Sequence, residues 1–172
     1  VCRSPSIVLV SLCASIVLAF ASLADGQTLQ VGSVSGSPGD TVQFNVTLQT
    51  GGASIIALKA RITFDRQHTP VAAQANQTPS CVVNSQINKA ASFIFWPIGC
   101  EGRNCTQVRG IIHAFGGSTA PIPNGSVLFS CTVAISPSAP PGQYPLVVSG
   151  LDSSDAQSNP IALSGQDGVI GV

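Results

Sequence analysis

Hydrophobic side chains occupy every second position in several short segments of this chain. In TVQFNVTL, residues 41–48, Val, Phe, Val and Leu alternate with Thr, Gln, Asn and Thr, directly after a Pro-Gly-Asp turn. Successive side chains of a β-strand point to opposite faces, so this alternation is typical of a strand with one buried face and one wet face. The pattern therefore predicts a half-buried strand rather than an amphipathic helix.

The same alternation recurs along the chain, between clusters of Gly, Pro, Asn and Ser. In residues 55–65 the predicted inner face consists of Ile56, Leu58, Ala60, Ile62 and Phe64, and the predicted outer face of Ala57, Lys59, Arg61 and Thr63. Further strands are predicted at TLQVGSV, PVAAQ, SFIFW, VRGIIHAF, SVLFSCTVAI, YPLVVSGL and GVIGV. Because no intervening segment could serve as a crossover helix, these nine strands predict a single all-β domain, an antiparallel β-sandwich.

Charged residues are scarce, at 8% of 172 residues with a formal net charge of +0. No basic stripe is present, which excludes a nucleic-acid partner. The continuous apolar run is confined to the N-terminal part, from about Ile7 to Phe20, after Arg3 and before small residues that end at Ala24. This layout predicts a secretory signal peptide. A single membrane anchor is the competing interpretation, but the run is short for a span of ~20 residues.

We therefore expect a signal peptide over residues 1–24 and a β-sandwich domain over residues 25–172. The protein is expected to be secreted or held at the cell surface, and to meet a membrane only through its export signal.

Cys81, Cys100, Cys105 and Cys131 follow the signal. An even number of cysteines in an exported chain predicts two disulfide bonds. Because the shortest loop closes most easily, Cys100–Cys105 with Cys81–Cys131 is favoured. The alternative is Cys81–Cys100 with Cys105–Cys131. A zinc site is disfavoured because there is no C-x-x-C pair and neither histidine lies at a ligand spacing.

The sequence offers little for catalysis. No G-x-S-x-G elbow is present, and the available bases are His68 beside a turn and His113 on a strand. We predict no enzymatic activity, no metal and no cofactor. A calcium loop at DSSDAQSN, with Asp152, Asp155 and Asn159, is the weaker interpretation of that segment. Trp96 is a lone ring, either a stacking platform for sugars or a lid on the core.

Several motifs taken together resemble a cohesin domain. They are SPGDTVQFNVTL, the strand IALKARITFD, RGIIHAF, NGSVLFSCTVAI, PSAPPGQYPLVVSGLD and the closing DGVIGV, which occur in family order over residues 28–172. The resemblance implies a nine-stranded jelly-roll sandwich from a bacterium. It also implies a non-catalytic exported module that docks a dockerin-bearing protein linked to polysaccharide catabolism.

In cohesins the dockerin lies on the sheet that contains the third, fifth, sixth and eighth strands. A polar pair on the third strand, typically Asn and then Asp two residues later, binds the partner. Here the matching positions are Ala57 and Lys59, so the partner site is expected to be a variant one. The predicted partner-binding residues are Ala57, Lys59, Arg61, Thr63, Ile111 and His113. Direct contact with polysaccharide, and a structural or adhesive surface domain without a dockerin partner, are the alternatives.

Overall fold

The computed structural model describes residues 26–100, 104–114 and 118–172. Strands dominate it: β1 Thr28–Val31, β2 Val34–Ser35, β3 Thr41–Gln49, β4 Ala57–Thr63, β5 Cys81–Val83, β6 Ala91–Trp96, β7 Gln107–Ile112, β8 Ser126–Ala134, β9 Gln143–Ser154, β10 Ser164–Gln166 and β11 Gly168–Gly171. A short 3-10 helix, Ser85–Ile87, follows β5. The predicted signal peptide falls outside the described residues. Within them, no helix has the length and apolar character needed to cross a membrane.

The strands form two sheets. One has the order β10-β1-β3-β8-β5, and the other has the order β2-β11-β9-β4-β7-β6. Alternate side chains of both sheets meet in one core, which includes Phe44 and Val46 from β3 and Leu58 and Ile62 from β4. The predicted all-β sandwich is confirmed, because the inner residues of each strand are buried where the alternation placed them.

The strand count and direction differ from the prediction. The described residues form eleven strands rather than nine, and β1–β10 and β2–β11 are parallel pairs in an otherwise antiparallel arrangement. The segment TLQVGSV is not one strand, because the chain leaves the first sheet after β1 and joins the second as β2. The crossing is tight: a Cβ on Gly168 would lie 2.6 Å from the Gly32 carbonyl oxygen.

The segment between β4 and β5 is more irregular than predicted. PVAAQ makes only isolated bridges, from Val71 to Val133 and from Ala73 to Pro79. β5 was not predicted from the sequence because it has three residues, too few to show alternation.

Both favoured disulfide bonds are present, Cys81–Cys131 and Cys100–Cys105. The alternative pairing, Cys81–Cys100 with Cys105–Cys131, is therefore wrong. Cys81 and Cys131 are also direct partners in the β5–β8 register, so the longer bridge holds the short edge strand to its neighbour. Two disulfide bonds are typical of a protein that folds in an oxidising compartment.

Asp65 closes the turn that follows β4. Its carboxylate accepts hydrogen bonds from the backbone N–H groups of Gln67 and His68, and its second oxygen lies 2.9 Å from His68 Nδ1. Burial raises the pKa of Asp65, but the hydrogen bonds from His68 and Gln67 outweigh it, so the pKa lies below the ordinary value of 3.8. The ionised form therefore stabilises the fold.

Asp65→Asn is expected to lower the free energy of unfolding by about 1 kcal/mol near neutral pH, since a capping carboxylate is lost. The contribution of Asp65 is present above its unfolded pKa and is lost as the pH falls through the folded value. The difference between wild type and variant should therefore shrink on acidification. Urea unfolding of the wild type and the variant at several pH values measures this. A difference that does not change with pH would contradict the assignment.

Candidate functional site

Four adjacent strands, β9-β4-β7-β6, present one continuous surface away from the core. We call this surface the outer face. Its residues, taken from the strand registers, are Val147, Ser149, Asp152 and Ser154 on β9, Ala57, Lys59, Arg61 and Thr63 on β4, Gln107, Arg109 and Ile111 on β7, and Ser92, Ile94 and Trp96 on β6. The four strands are the same ones that the family resemblance singled out.

The structure brings the six predicted partner-binding residues together. Ala57, Lys59, Arg61 and Thr63 line β4, and Ile111 is the direct neighbour of Lys59 in the β4–β7 register. His113 follows β7, and its Nε2 lies 2.8 Å from Ser92 Oγ. Thr63 Oγ1 accepts a hydrogen bond from the Gln107 side chain. Their placement on one surface is observed, and their role in binding stays a prediction.

Lys59 is paired with a carboxylate that the sequence analysis did not connect with it. Lys59 Nζ lies 3.0 Å from Asp152 Oδ2, and the two residues are partners in the β4–β9 register. Both side chains are well exposed, so the pair adds at most ~1 kcal/mol to stability. Its consequence is local: the carboxylate on this part of the outer face is already bound by the lysine. Asp152 could not be assigned this role from the sequence, because the pairing depends on a register between distant strands.

A shallow groove of about 340 Å³ runs beside this ion pair. Its lining includes Ala57, Ile111 and His113, together with Lys59 and Asp152. Small, aliphatic and polar side chains, three serines among them, therefore line the groove beside the charged pair. Such a surface suits a helix or strand of another protein better than a small molecule, because it is open and shallow.

Arg61, Arg109 and Trp96 form a second cluster on the outer face. The guanidinium carbons of Arg61 and Arg109 lie 5.0 Å and 5.8 Å from the centroid of the Trp96 ring. These are cation–π distances. Trp96 is half-buried, and both arginine side chains pack over it, so it is neither a free stacking platform nor a lid on the core. Sequence reasoning missed Arg109 and Trp96 as members of this site.

A bulge in β9 gives Arg61 its position. The β4–β9 register shifts between Lys59 and Arg61, and Gly150 in this region adopts a left-handed φ of 59°. A Cβ at Gly150 would lie 3.5 Å from the guanidinium carbon of Arg61. The backbone of the bulge therefore contacts the arginine from the side of β9, and the left-handed φ of Gly150 favours glycine at this position.

The calcium interpretation finds no support in the geometry of the DSSDAQSN loop. Asp155 accepts hydrogen bonds from the side chain and backbone N–H of Asn159 and from Gln157 N–H. The Asn159 side chain contributes most to holding the pKa of Asp155 below its usual range. The carboxylate of Asp152 is paired with Lys59. In the described part of the chain, no group of three or more His, Cys, Asp or Glu residues is placed to hold a metal.

A scan against protein-family models finds no match, and a search of curated proteins finds no significant one. Solved structures do match. The cohesin CaCohA2 of Clostridium acetobutylicum, in a complex with a CaDoc0917 variant, gives a TM-score of 0.67 at 23% identity, over 85% of this chain and 99% of that chain.

Two further structures have the same architecture. A non-cellulosomal cohesin from the archaeon Archaeoglobus fulgidus gives a TM-score of 0.64 at 14% identity, over 85% of this chain and 90% of that chain. The sixth cohesin of scaffoldin B from Acetivibrio cellulolyticus, solved with a mutant Cel5 dockerin, gives 0.63 at 20% identity, over 86% and 99%. The chain has two stacked sheets and superposes on these cohesin structures over most of its length. It therefore has the fold of a cohesin domain, as the resemblance of its motifs predicted.

Proposed function

We propose that this chain is an exported, non-catalytic module that docks a dockerin-type protein on its outer face. The observation that carries the proposal is the composition of that face: four adjacent strands that place aliphatic, small and cationic side chains on one open surface. The fold supports it, since several structures of this fold were solved as complexes with dockerins. This chain would be linked to polysaccharide catabolism if the docked partner were part of a polysaccharide-degrading enzyme.

The partner is expected to differ from the usual dockerin. Where cohesins carry an Asn and an Asp acceptor, this chain has Ala57 and Lys59, and the nearby carboxylate of Asp152 is already bound by the lysine. A partner built to donate hydrogen bonds to the usual pair would leave its donors unsatisfied, at about 1–3 kcal/mol each. A partner with acceptors at the same place would bind well.

Protein docking is favoured over direct contact with polysaccharide. Sugar-binding surfaces use exposed aromatic rings, and the one tryptophan of the chain is packed against two arginine side chains. Catalysis is also disfavoured. Ser92 and His113 lie within hydrogen-bond distance, but they stand on an open sheet face, which does not exclude water from a reaction. An adhesive or structural domain without a dockerin partner is the second candidate, favoured by the wet character of the same sheet face.

The proposal is tested by changing the outer face without touching its arginines. Lys59→Glu with Ile111→Glu alters two side chains that are neighbours in the β4–β7 register. We expect this double variant to bind the secreted partner at least about tenfold more weakly than the wild type, because an apolar contact and a cation are both replaced by carboxylates. Binding is measured by biolayer interferometry on the full chain, with the partner identified from the secreted fraction by mass spectrometry.

A matched control makes the same chemical changes elsewhere. Arg66 lies in the exposed turn after β4, and Val82 lies on β5 of the opposite sheet with 67% of its surface exposed. Arg66→Glu with Val82→Glu should leave the affinity unchanged. If the Lys59→Glu, Ile111→Glu variant and the control variant bind the same partner with equal affinity, the outer face is not the docking site.

A further inference from the structure

Two guanidinium groups face each other on the outer face, and no residue in the described part of the chain supplies a counter-ion. Arg61 and Arg109 are direct partners in the antiparallel β4–β7 register. Like charges at directly opposed positions of a sheet destabilise it. Among the residues that the structure describes, the ion pairs are Lys59–Asp152 and His68–Asp65, so neither arginine is bound to a carboxylate.

Polar atoms of the same cluster also lack hydrogen-bond partners. Nε of Arg61 and Nε of Arg109 are both buried without an acceptor within the described structure. A buried donor without an acceptor is destabilising, and more so when the group is charged. Cation–π contact with the Trp96 ring offsets part of this cost. The ring cannot, however, accept two parallel N–H hydrogen bonds from one guanidinium group as a carboxylate can. Within the described structure, both guanidinium groups are therefore incompletely hydrogen-bonded.

The charge of the outer face is concentrated at this cluster. Lys59, Arg61 and Arg109 are its arginine and lysine residues, and Asp152 is its carboxylate. Because Asp152 lies 3.0 Å from the Lys59 ammonium, these two charges largely cancel. An excess of positive charge is left at the arginine pair, on a chain whose overall formal charge is +0.

We propose that Arg61 and Arg109 together receive the carboxylate of an Asp or Glu side chain of the docked partner, and that Trp96 holds both guanidinium groups in place for it. This inference rests on the proposed function and names the chemistry of its main contact. Arginine presents N–H donors in a planar fork that matches the two oxygens of a carboxylate. The docked acid would cancel the repulsion between the two arginines.

The surroundings favour an acid carried by a protein. Ile94, the neighbour of Arg109 on β6, is 37% exposed, and Val147, the neighbour of Thr63 on β9, is 38% exposed. Exposed aliphatic side chains thus lie on both sides of the arginine pair. An acidic residue on a partner helix or strand could bind the arginine pair while its apolar neighbours cover Ile94 and Val147. In such an arrangement the apolar contacts exclude water from the central charged contact.

The first test uses acetate as the probe, with acetamide as its neutral isostere. In the full chain labelled with ¹⁵N, acetate should shift the Nε–Hε signals of Arg61 and Arg109 in a saturable way, whereas acetamide should not. The signal of Arg66, an exposed arginine in a turn, serves as the internal control. Equal shifts at Arg66 and at the pair, or equal effects of acetate and acetamide, would overturn the proposal.

The second test uses the partner identified on the outer face. Arg61→Gln with Arg109→Gln should weaken binding by at least about tenfold and flatten its salt dependence, because the charge contact is removed. Arg61→Glu with Arg109→Glu should regain affinity when one acidic residue of the partner is changed to lysine. If Lys59→Glu with Ile111→Glu abolishes docking but the glutamine variant binds normally, the carboxylate contact is refuted while the docking function stands.

Discussion

Replacing Cys81 and Cys131 together by alanine is expected to lower the free energy of unfolding by about 4 kcal/mol. The bridge joins residues 50 positions apart, and a loop of that length loses much conformational entropy in the unfolded chain when it is closed. The bridge also holds β5, a strand of three residues, at the edge of its sheet. Urea denaturation followed by circular dichroism measures the change, with the m-value checked for two-state unfolding.

The second bridge provides the matched control. Cys100 and Cys105 are 5 positions apart, so the same entropy argument gives only about 2 kcal/mol for their replacement by alanine. The two double variants remove the same atoms but close loops of very different length. Equal destabilisation by both would contradict the entropic explanation and would indicate that packing of the sulfur atoms decides the effect.

Phe129→Ala is expected to destabilise the domain by about 3–5 kcal/mol, the usual range for deletion of a buried aromatic ring. Phe129 is 1% exposed and belongs to β8 of one sheet, while its ring centroid lies 5.0 Å from that of Phe93 on β6 of the other. A Cβ at Gly110 would lie 3.1 Å from the same ring. The side chain therefore bridges the sheets directly beneath the outer face.

The experiment separates cavity formation from simple loss of aromatic contact. Phe129→Leu retains most of the buried volume and should cost clearly less than the alanine variant. Chemical denaturation of both variants gives the comparison. A loss below about 1 kcal/mol for alanine would mean that the core collapses into the space or that the ring is not packed as described.

The inner and outer faces of individual strands were predictable from the sequence. In β4 every second residue, from Leu58 through Ala60 to Ile62, is at most 3% exposed. A strand has a period of two, so a local pattern is enough to show which side chains enter the core. The favoured disulfide pairing also followed from loop length along the chain.

Pairings between distant strands were not predictable. Lys59 meets Asp152, and Arg61 meets Arg109 and Trp96, only because β9, β4, β7 and β6 are neighbours with a particular register and a bulge. Single-sequence periodicity carries no information on register. The same reason explains the unpredicted parallel pairs β1–β10 and β2–β11, which join strands from opposite ends of the domain. The contacts that form the candidate site therefore join residues far apart in the sequence, beyond the reach of a local pattern.

The two parallel pairs also determine how the domain would respond to tension. β1 lies alongside β10, and β2 alongside β11, with each pair running in the same direction. A load that pulls residue 26 away from residue 172 draws the partners of each pair past one another lengthwise. Their hydrogen bonds must then break together instead of one after another, as they would in a zipper. We therefore expect the two parallel pairs to resist such a load more strongly than strands whose hydrogen bonds break one at a time.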